Sequence, residues 1–156
     1  MKKIVLISCV SRKGKTKVKA KDLYKGALFS NSLAYAQALD PDKIFILSAL
    51  HHLLDLDKEI DPYDVTLSYV SPADRKKKPN LKILTNAEAN HWATKVIKQL
   101  KTVADIKNDR FIVLAGKSYI EPIQNSLTHI EEPLNGLTQG RRLVKLKQLI
   151  TELNGK

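Results

Sequence analysis

The sequence has little cysteine, few aromatic residues and no long apolar segment. Cys9 is its one cysteine, so a disulfide within the chain and a cysteine-rich zinc site are both excluded. Aromatic residues make up 6% of the 156 residues, which argues against an extended surface for stacking bases. No apolar run approaches the roughly 18 residues of a membrane span, and the run after Met1 stops at Ser8, too early for a secretory signal. These absences predict a cytoplasmic protein that makes no membrane contact.

Acidic residues are too few to balance the basic ones. Lys and Arg number 27 against 16 Asp and Glu, which gives a net charge of +11. The excess is concentrated in residues 12–25, in residues 75–82 and near the C-terminus. A concentrated positive field favours nucleic acid or a nucleotide as partner, and a solubilising surface is the alternative. The residues expected to contact nucleic acid are Arg12, Lys15, Lys17, Lys19, Lys76 and Lys77.

Apolar strands alternate with amphipathic helices along the chain. The runs "KIVLISC" (3–9), "DKIFILS" (42–48) and "RFIVLAG" (110–116) are typical of strands buried on both faces, and a short fourth strand is expected at 129–131. This alternation predicts a single α/β domain over residues 1–156. The expected architecture is a three-layer sandwich with a mostly parallel sheet of about four strands and helices on both faces.

Several local signals set the expected boundaries of the helices and loops. Asp22 is a candidate N-cap for a helix that ends near residue 39, and Thr85 with Glu88 predicts a capping box. Pro122 fits the first turn of a short helix. Residues 71–82 are polar and basic, which predicts an exposed loop, and "DPYD" (61–64) predicts a tight turn with its tyrosine directed inward.

Polar side chains follow each predicted strand. Open α/β sheets bind ligands beyond the carboxyl ends of their strands, so these side chains are expected to converge on one edge. The residues expected to bind substrate are Ser8, Cys9, Lys13, Ser48, Tyr63, Gly116, Tyr119 and Arg141. Asp64, His51 and Glu121 are candidates for general acid or base catalysis. The alternative for Cys9 is a small buried apolar residue, and the alternative for Lys13 is a solvated loop lysine.

Metal and cofactor signatures are missing. His51 and His52 are adjacent, so on a helix they would point about 100° apart, and one would face the site while the other faced solvent. Their spacing does not match a zinc site. "LAGKSY" (114–119) has neither the phosphate-binding loop pattern nor the dinucleotide-binding glycine pattern. No metal and no cofactor are therefore predicted.

Five segments resemble, in order, an uncharacterised bacterial and phage family of small domains. They are "ISCVSRK", "AKDLYKGALF", "ILSALHHLLDLDKEIDPYDVTL", "LAGKSYIEPI" and "EPLNGLTQGRR". The third segment and "VLAGKSYIEPI" also resemble the YaaA-like proteins. That resemblance implies a compact α/β fold and a DNA-binding protein linked to peroxide stress.

A looser similarity relates "SCVSRK" and "DLYKGALF" to the Cys-Ser-x-x-Lys-Pro-Tyr signature of the archaeosine synthase family, which acts on a deazaguanine base in transfer RNA. Here residues 14–23 separate Lys13 from Tyr24, and no proline precedes that tyrosine.

Three functions remain open at this point. The first is a nucleic-acid- or nucleotide-binding enzyme that acts on a nucleobase or an N-glycosidic bond, either as an N-glycosidase-like hydrolase or as a transferase. The second is a non-catalytic DNA-binding stress or defence protein that resembles YaaA. The third is a small-molecule enzyme. Buried titratable groups in a cleft at the predicted edge would favour the enzyme, because a pure binder does not need them.

Overall fold

The computed structural model of the protein describes residues 1–155. Its strands are β1 (Lys3–Ser8), β2 (Val18–Lys19), β3 (Lys43–Ser48), β4 (His52–Asp55), β5 (Glu59–Ile60), β6 (Val65–Thr66), β7 (Lys82–Ile83), β8 (Arg110–Leu114) and β9 (His129–Glu131). Its helices are α1 (Ala20–Leu23), α2 (Ala27–Ala38), α3 (Pro72–Lys77), α4 (Asn86–Val103), α5 (Lys117–Gln124) and α6 (Gln139–Asn154).

The main sheet has five strands in the order β4-β3-β1-β8-β9. The pairs β3-β1, β1-β8 and β8-β9 are parallel, and β4 runs antiparallel to β3. The α/β class, the mostly parallel sheet and the short strand at 129–131 are thus confirmed. The sheet has one strand more than predicted, because His51 and His52 belong to a β-hairpin and not to a helix. His52 adopts a left-handed φ of 64°, which fits the end of a three-residue hairpin loop.

The centre of the sheet is covered on both faces. Four successive residues of β1, from Ile4 to Ile7, are at most 1% exposed, and successive side chains of a strand point to opposite faces. Helix α2 packs against α6, and α4 packs against α5. The connections through α2 and α4 cross the sheet in opposite directions, so right-handed crossovers would place these two helices on opposite faces. The three-layer arrangement stays a prediction that rests on this rule.

The helix predicted to start at Asp22 is interrupted. Helix α1 ends at Leu23, and Tyr24 is extended, with φ −79° and ψ 131°. Gly26 follows with φ 104°, a conformation that favours glycine, and α2 begins at Ala27. Asp22 therefore lies inside the one-turn helix α1 and does not act as an N-cap. The interruption frees Tyr24 to pair with another segment.

Other boundary predictions had mixed outcomes. The capping box is present: the Glu88 backbone N–H donates to Thr85 Oγ1 at 3.2 Å, and the Thr85 N–H donates to Glu88 Oε1 at 3.1 Å. Pro122 was misplaced, because it is the sixth of the eight residues of α5. Residues 71–82 are largely exposed, but they contain α3, whose N-cap is Ser71. Within residues 1–155, no helix is long and apolar enough to cross a membrane.

Candidate functional site

The segment after β1 is fixed by backbone pairing with the segment around Tyr24. Lys13 and Tyr24 form an antiparallel bridge. The Gly14 N–H donates to the Leu23 carbonyl at 2.8 Å, and the Lys25 N–H donates to the Arg12 carbonyl at 2.8 Å. Residues 15–22 loop out between these two positions. Lys13 is therefore held beside Tyr24 on a constrained backbone, although the two residues lie apart in the sequence.

Tyr24, Ser48 and Tyr63 form a hydroxyl cluster at the carboxyl end of β3, whose last residue is Ser48. Tyr63 Oη lies 2.5 Å from Tyr24 Oη and 2.7 Å from Ser48 Oγ. Ser48 is fully buried, and its Oγ accepts a hydrogen bond from the His51 N–H at 3.0 Å. Burial is the main cause that raises the pKa of both phenols, with the nearby Cys9 next. Both tyrosines therefore stay protonated at neutral pH and keep a proton to donate.

Residues 61–64 reach the cluster without the predicted tight turn. They form an irregular connection between β5 and β6. Tyr63 packs against the hydrophobic core, as its inward direction predicted. The His51 ring meets Tyr63 edge to face, with ring centres 5.3 Å apart, and burial lowers the pKa of this histidine. His51 thus supports Tyr63 from its side, while His52 starts β4.

A basic cleft of about 330 Å³ opens next to the hydroxyl cluster. It is lined by Ser11, Arg12, Lys13, Gly14, Pro62, Tyr63, Asp64 and Lys78. Lys13 Nζ lies 4.5 Å from the centre of the Tyr63 ring and 5.7 Å from that of Tyr24. Burial lowers the pKa of Lys13; Cys9 and Asp64 oppose this shift, and Lys78 adds to it. The cleft thus holds a partly desolvated amine beside two aromatic rings.

The electrostatics of the cleft favour an anion. Lys13 Nζ and Lys78 Nζ each approach the Ser11 carbonyl oxygen at 3.5 Å, so the two ammonium groups lie at most about 7 Å apart. Among residues 1–155, neither lysine nor Arg12 forms an ion pair. Asp64 is the one acidic side chain that lines the cleft, as far as the described part of the chain shows. Three positive groups against one carboxylate leave an excess positive charge for a ligand to neutralise.

Other predicted substrate-binding residues lie in the protein interior. Cys9 is 8% exposed, and its Sγ lies 3.2 Å from Tyr119 Oη. Tyr119 is also buried, accepts a hydrogen bond from the Leu67 N–H at 3.4 Å and stacks edge to face on Trp92. Ser8 lines a separate cavity of about 10 Å³, large enough for one water molecule. These three residues support the edge of the sheet and do not line the basic cleft.

The structure does not bring Glu121 or Arg141 to the cleft. Glu121 is exposed on α5 and pairs with Lys117 at 3.4 Å. Arg141 is exposed, whereas its neighbour Arg142 reaches Gly116 and donates from Nε to the Leu137 carbonyl at 2.9 Å. A Cβ at Gly116 would lie 3.0 Å from two Arg142 nitrogens, so a larger residue here would require the guanidinium to shift by a few tenths of an ångström.

The predicted nucleic-acid-binding residues divide into free and paired side chains. Lys15, Lys17 and Lys76 are exposed and, within residues 1–155, unpaired. Lys19 lies 3.9 Å from Asp57, and Lys77 lies 4.0 Å from Asp74. The approach of Lys78 to Ser11 brings the basic segments 12–25 and 75–82 together at the cleft. Across the described residues, no group of three His, Cys, Asp or Glu side chains is arranged to hold a metal ion.

Sequence reasoning missed three residues at this edge: Tyr24, Lys78 and Arg142. Lys78 was recognised as part of a basic group, but nothing local indicated that it contacts Ser11. Tyr24 was expected on a helix. The one available hint was the similarity to a signature in which a lysine and a tyrosine lie almost next to each other. The backbone bridge between Lys13 and Tyr24 restores that proximity.

Comparison with known proteins identifies the family of the chain but no characterised relative. No curated protein matches the chain. Nothing in the comparisons supports the resemblance to the YaaA-like proteins or to archaeosine synthase, whereas the resemblance to an uncharacterised family is supported. Residues 4–148 match a family of unknown function, DUF6884, and the chain belongs to that family.

Proposed function

We propose that this protein binds a nucleotide, either free or within a nucleic-acid strand, in the basic cleft. The observation that carries the proposal is the convergence of Arg12, Lys13 and Lys78, unpaired within residues 1–155, around an opening of about 330 Å³. Guanidinium and ammonium groups are the usual protein partners of phosphate. A volume of this size suits a small organic ligand, and Pro62 with Tyr63 offers an apolar wall against which a base can lie.

Lysines outside the cleft support a polymeric ligand over a free nucleotide. Lys15, Lys17 and Lys76 belong to the two basic segments that meet at the cleft. A single nucleotide in the cleft would offer these lysines no phosphate to contact. A strand that enters the cleft would place further phosphates near these segments. The same lysines are the observation that favours the second candidate, a non-catalytic DNA-binding protein such as the YaaA resemblance implies.

Asp64 supports a catalytic role for the cleft. We infer that its carboxylate acts as the general base that takes a proton from water as the water oxygen bonds to the sugar carbon of an N-glycosidic bond. The C–N bond breaks, and the nucleobase leaves with the bonding electrons and takes a proton from solvent. Tyr63, held by the hydroxyl cluster, lies next to Asp64 in the lining and fixes the wall of the cleft. His51 contributes through its contact with Tyr63, and Glu121 has no part in this scheme.

Binding is tested by fluorescence anisotropy with labelled single-stranded DNA, duplex DNA and RNA across a salt series. Binding driven by phosphate contacts weakens log-linearly with salt. Lys78→Gln should weaken binding and reduce the salt slope by about one, whereas Lys98→Gln, an exposed lysine of α4, should change neither. Absence of binding at low salt, together with failure of free nucleotides to shift the melting temperature, would reject the proposal.

Catalysis is tested by release of free base from the bound ligand. Asp64→Asn keeps the side-chain shape and removes the general base, so release of the nucleobase should stop while binding of the ligand persists. If the unchanged protein binds but releases no base from any ligand, the non-catalytic candidate stands. If it binds no nucleic acid and acts on a small phosphorylated compound, the third candidate, a small-molecule enzyme, replaces both.

A further inference from the structure

Lys13 differs from the other cations of the basic cleft. Arg12 and Lys78 are exposed side chains, whereas Lys13 is half-buried. Its backbone is held by the bridge to Tyr24, and its Nζ lies over the ring of Tyr63 at 4.5 Å. A lysine ammonium is a strongly hydrated point charge, so its partial burial costs free energy that a phosphate contact alone does not require. The position of Lys13 therefore needs a different explanation.

The surroundings of Lys13 are those that activate an amine. A lysine becomes a nucleophile when its ammonium is desolvated or lies next to a second cation. Burial is the largest influence on its pKa and lowers it, and Lys78, which approaches the same Ser11 carbonyl, adds to this shift; Cys9 and Asp64 oppose it without cancelling it. Within residues 1–155, Lys13 forms no ion pair that would hold its proton. Lys13 therefore loses its proton to form the neutral amine more readily than a solvated lysine does.

We propose that Lys13 is a nucleophilic amine that forms an imine with the aldehyde carbon of a phosphorylated sugar in the basic cleft. This inference rests on the proposed function, because it uses the same phosphate-binding site. Arg12 and Lys78 would hold the phosphate of the sugar. It also follows the proposed chemistry, since cleavage of an N-glycosidic bond leaves a sugar whose first carbon is an aldehyde when the ring opens. An abasic site in a strand and a free sugar phosphate share this group.

The reaction balances without any further reagent. Asp64 takes a proton from the Lys13 ammonium, and the freed electron pair of Nζ forms a bond to the aldehyde carbon. The carbonyl oxygen takes one proton from the attacking nitrogen to become a hydroxyl, and Asp64 returns the proton that it accepted, so that this oxygen leaves as water when the C=N bond forms. One ammonium and one aldehyde give one protonated imine and one water, with no oxidation or reduction. Asp64 lines the same cleft and is close enough to influence Lys13 electrostatically.

The test is reductive trapping. The protein is incubated with an oligonucleotide that carries one abasic site and, separately, with 2-deoxyribose 5-phosphate, in the presence of sodium cyanoborohydride. Intact-mass measurement and peptide mapping then locate the reduced adduct. The expected result is a single adduct on Lys13, and Lys13→Arg, which keeps the charge but removes the amine, should lower the trapped fraction by about tenfold or more. The matched variant Lys98→Arg, at an exposed lysine of α4 outside the basic segments, should trap like the unchanged protein.

A pH series separates an activated amine from a merely accessible one. Trapping on Lys13 should reach half of its maximum rate at a lower pH than trapping of the same aldehyde by free Nα-acetyl-lysine, because the pKa of Lys13 is lowered. Adduct spread over the exposed lysines, or equal trapping by Lys13→Arg, would overturn the proposal.

The two proposals fail in different ways. Binding of an oligonucleotide with a non-reactive tetrahydrofuran site, without any adduct from the abasic one, would reject the imine and leave the nucleotide site intact. An adduct on Lys13 from the sugar phosphate, with no binding of any nucleotide or nucleic acid, would support the imine and reject the nucleotide site. An adduct from the abasic strand alone would identify nucleic acid as the source of the aldehyde.

Discussion

Replacing Tyr63 by phenylalanine tests whether the hydroxyl cluster holds the wall of the basic cleft in place. The Tyr63 hydroxyl is the central member of the cluster, with bonds to Tyr24 Oη at 2.5 Å and to Ser48 Oγ at 2.7 Å. Phenylalanine keeps the ring and its packing on the core. Both partners are buried residues, so they cannot simply turn to bulk water. The substitution therefore isolates the contribution of the two hydrogen bonds.

The structure gives the expected magnitude. A buried hydrogen bond contributes about 1 kcal/mol net, so Tyr63→Phe should cost about 2 kcal/mol of the free energy of unfolding. Tyr24→Phe removes one of the same bonds and should cost about 1 kcal/mol. The double variant loses no further bond, so its cost should stay near 2 kcal/mol, which corresponds to a coupling of about 1 kcal/mol between the two sites.

Equilibrium unfolding in urea measures these costs. In a separate thermal unfolding experiment, Tyr63→Phe should lower the melting temperature by roughly 4–8 °C, since about 1 kcal/mol corresponds to roughly 2–4 °C for a chain of this size. Tyr69→Phe is the matched control, because Tyr69 is 83% exposed. It should change stability by less than about 0.5 kcal/mol. Strictly additive costs for Tyr24→Phe and Tyr63→Phe, or a larger cost for the former, would refute the cluster as described.

Three further predictions concern stability and can be checked in the same unfolding assay. Thr85→Ala should cost about 1 kcal/mol, because it removes the N-cap of α4, and Thr85→Ser should recover most of that cost. Gly116→Ala should destabilise the protein through its contact with the Arg142 guanidinium, and Arg142→Ala should relieve this effect; equal costs in both backgrounds would exclude the clash. Asp109 accepts hydrogen bonds from the Asp105 and Lys2 N–H groups, which lower its pKa. Its contribution should therefore be present above the usual carboxyl pKa and disappear as the pH falls through the lowered value, so the stability gap to Asp109→Asn should shrink in acid.

The fold was predictable where local sequence decides it. The core strands are continuous apolar runs, and the capping box at Thr85 and Glu88 requires only two residues three positions apart. The prediction failed where distant pairing overrides local preference. Residues 22–39 have helical periodicity throughout, yet Tyr24 is extended because it pairs with Lys13 across the loop. Similarly, β4 forms because its residues complete a hairpin with β3, which periodicity over four residues cannot reveal.

The candidate site was predictable to the level of its edge. Lys13, Ser48, Tyr63 and Asp64 were selected because they follow strands, and the structure places all four at the cleft or at the hydroxyl cluster. Lys78 approaches Ser11 across 67 positions of sequence, and no local pattern carries that information. The exclusion of Glu121 has the same cause, since whether a residue of α5 faces the cleft depends on how that helix packs.

The position of Lys13 is unfavourable for the stability of the fold, because a charged side chain is partly buried there. Its charge would be more stable in water, and within residues 1–155 it forms no ion pair that compensates for its partial burial. Interaction with the Tyr63 ring returns only about 0.5–1 kcal/mol at a partly exposed site. A fold selected for stability alone would place an apolar side chain at this position. Such local conflicts are expected at functional sites, where the cost is tolerated for the chemistry that the residue performs. The same reasoning distinguishes Lys13 from Tyr63: loss of the amine should impair function without loss of stability, whereas loss of the phenol should impair both.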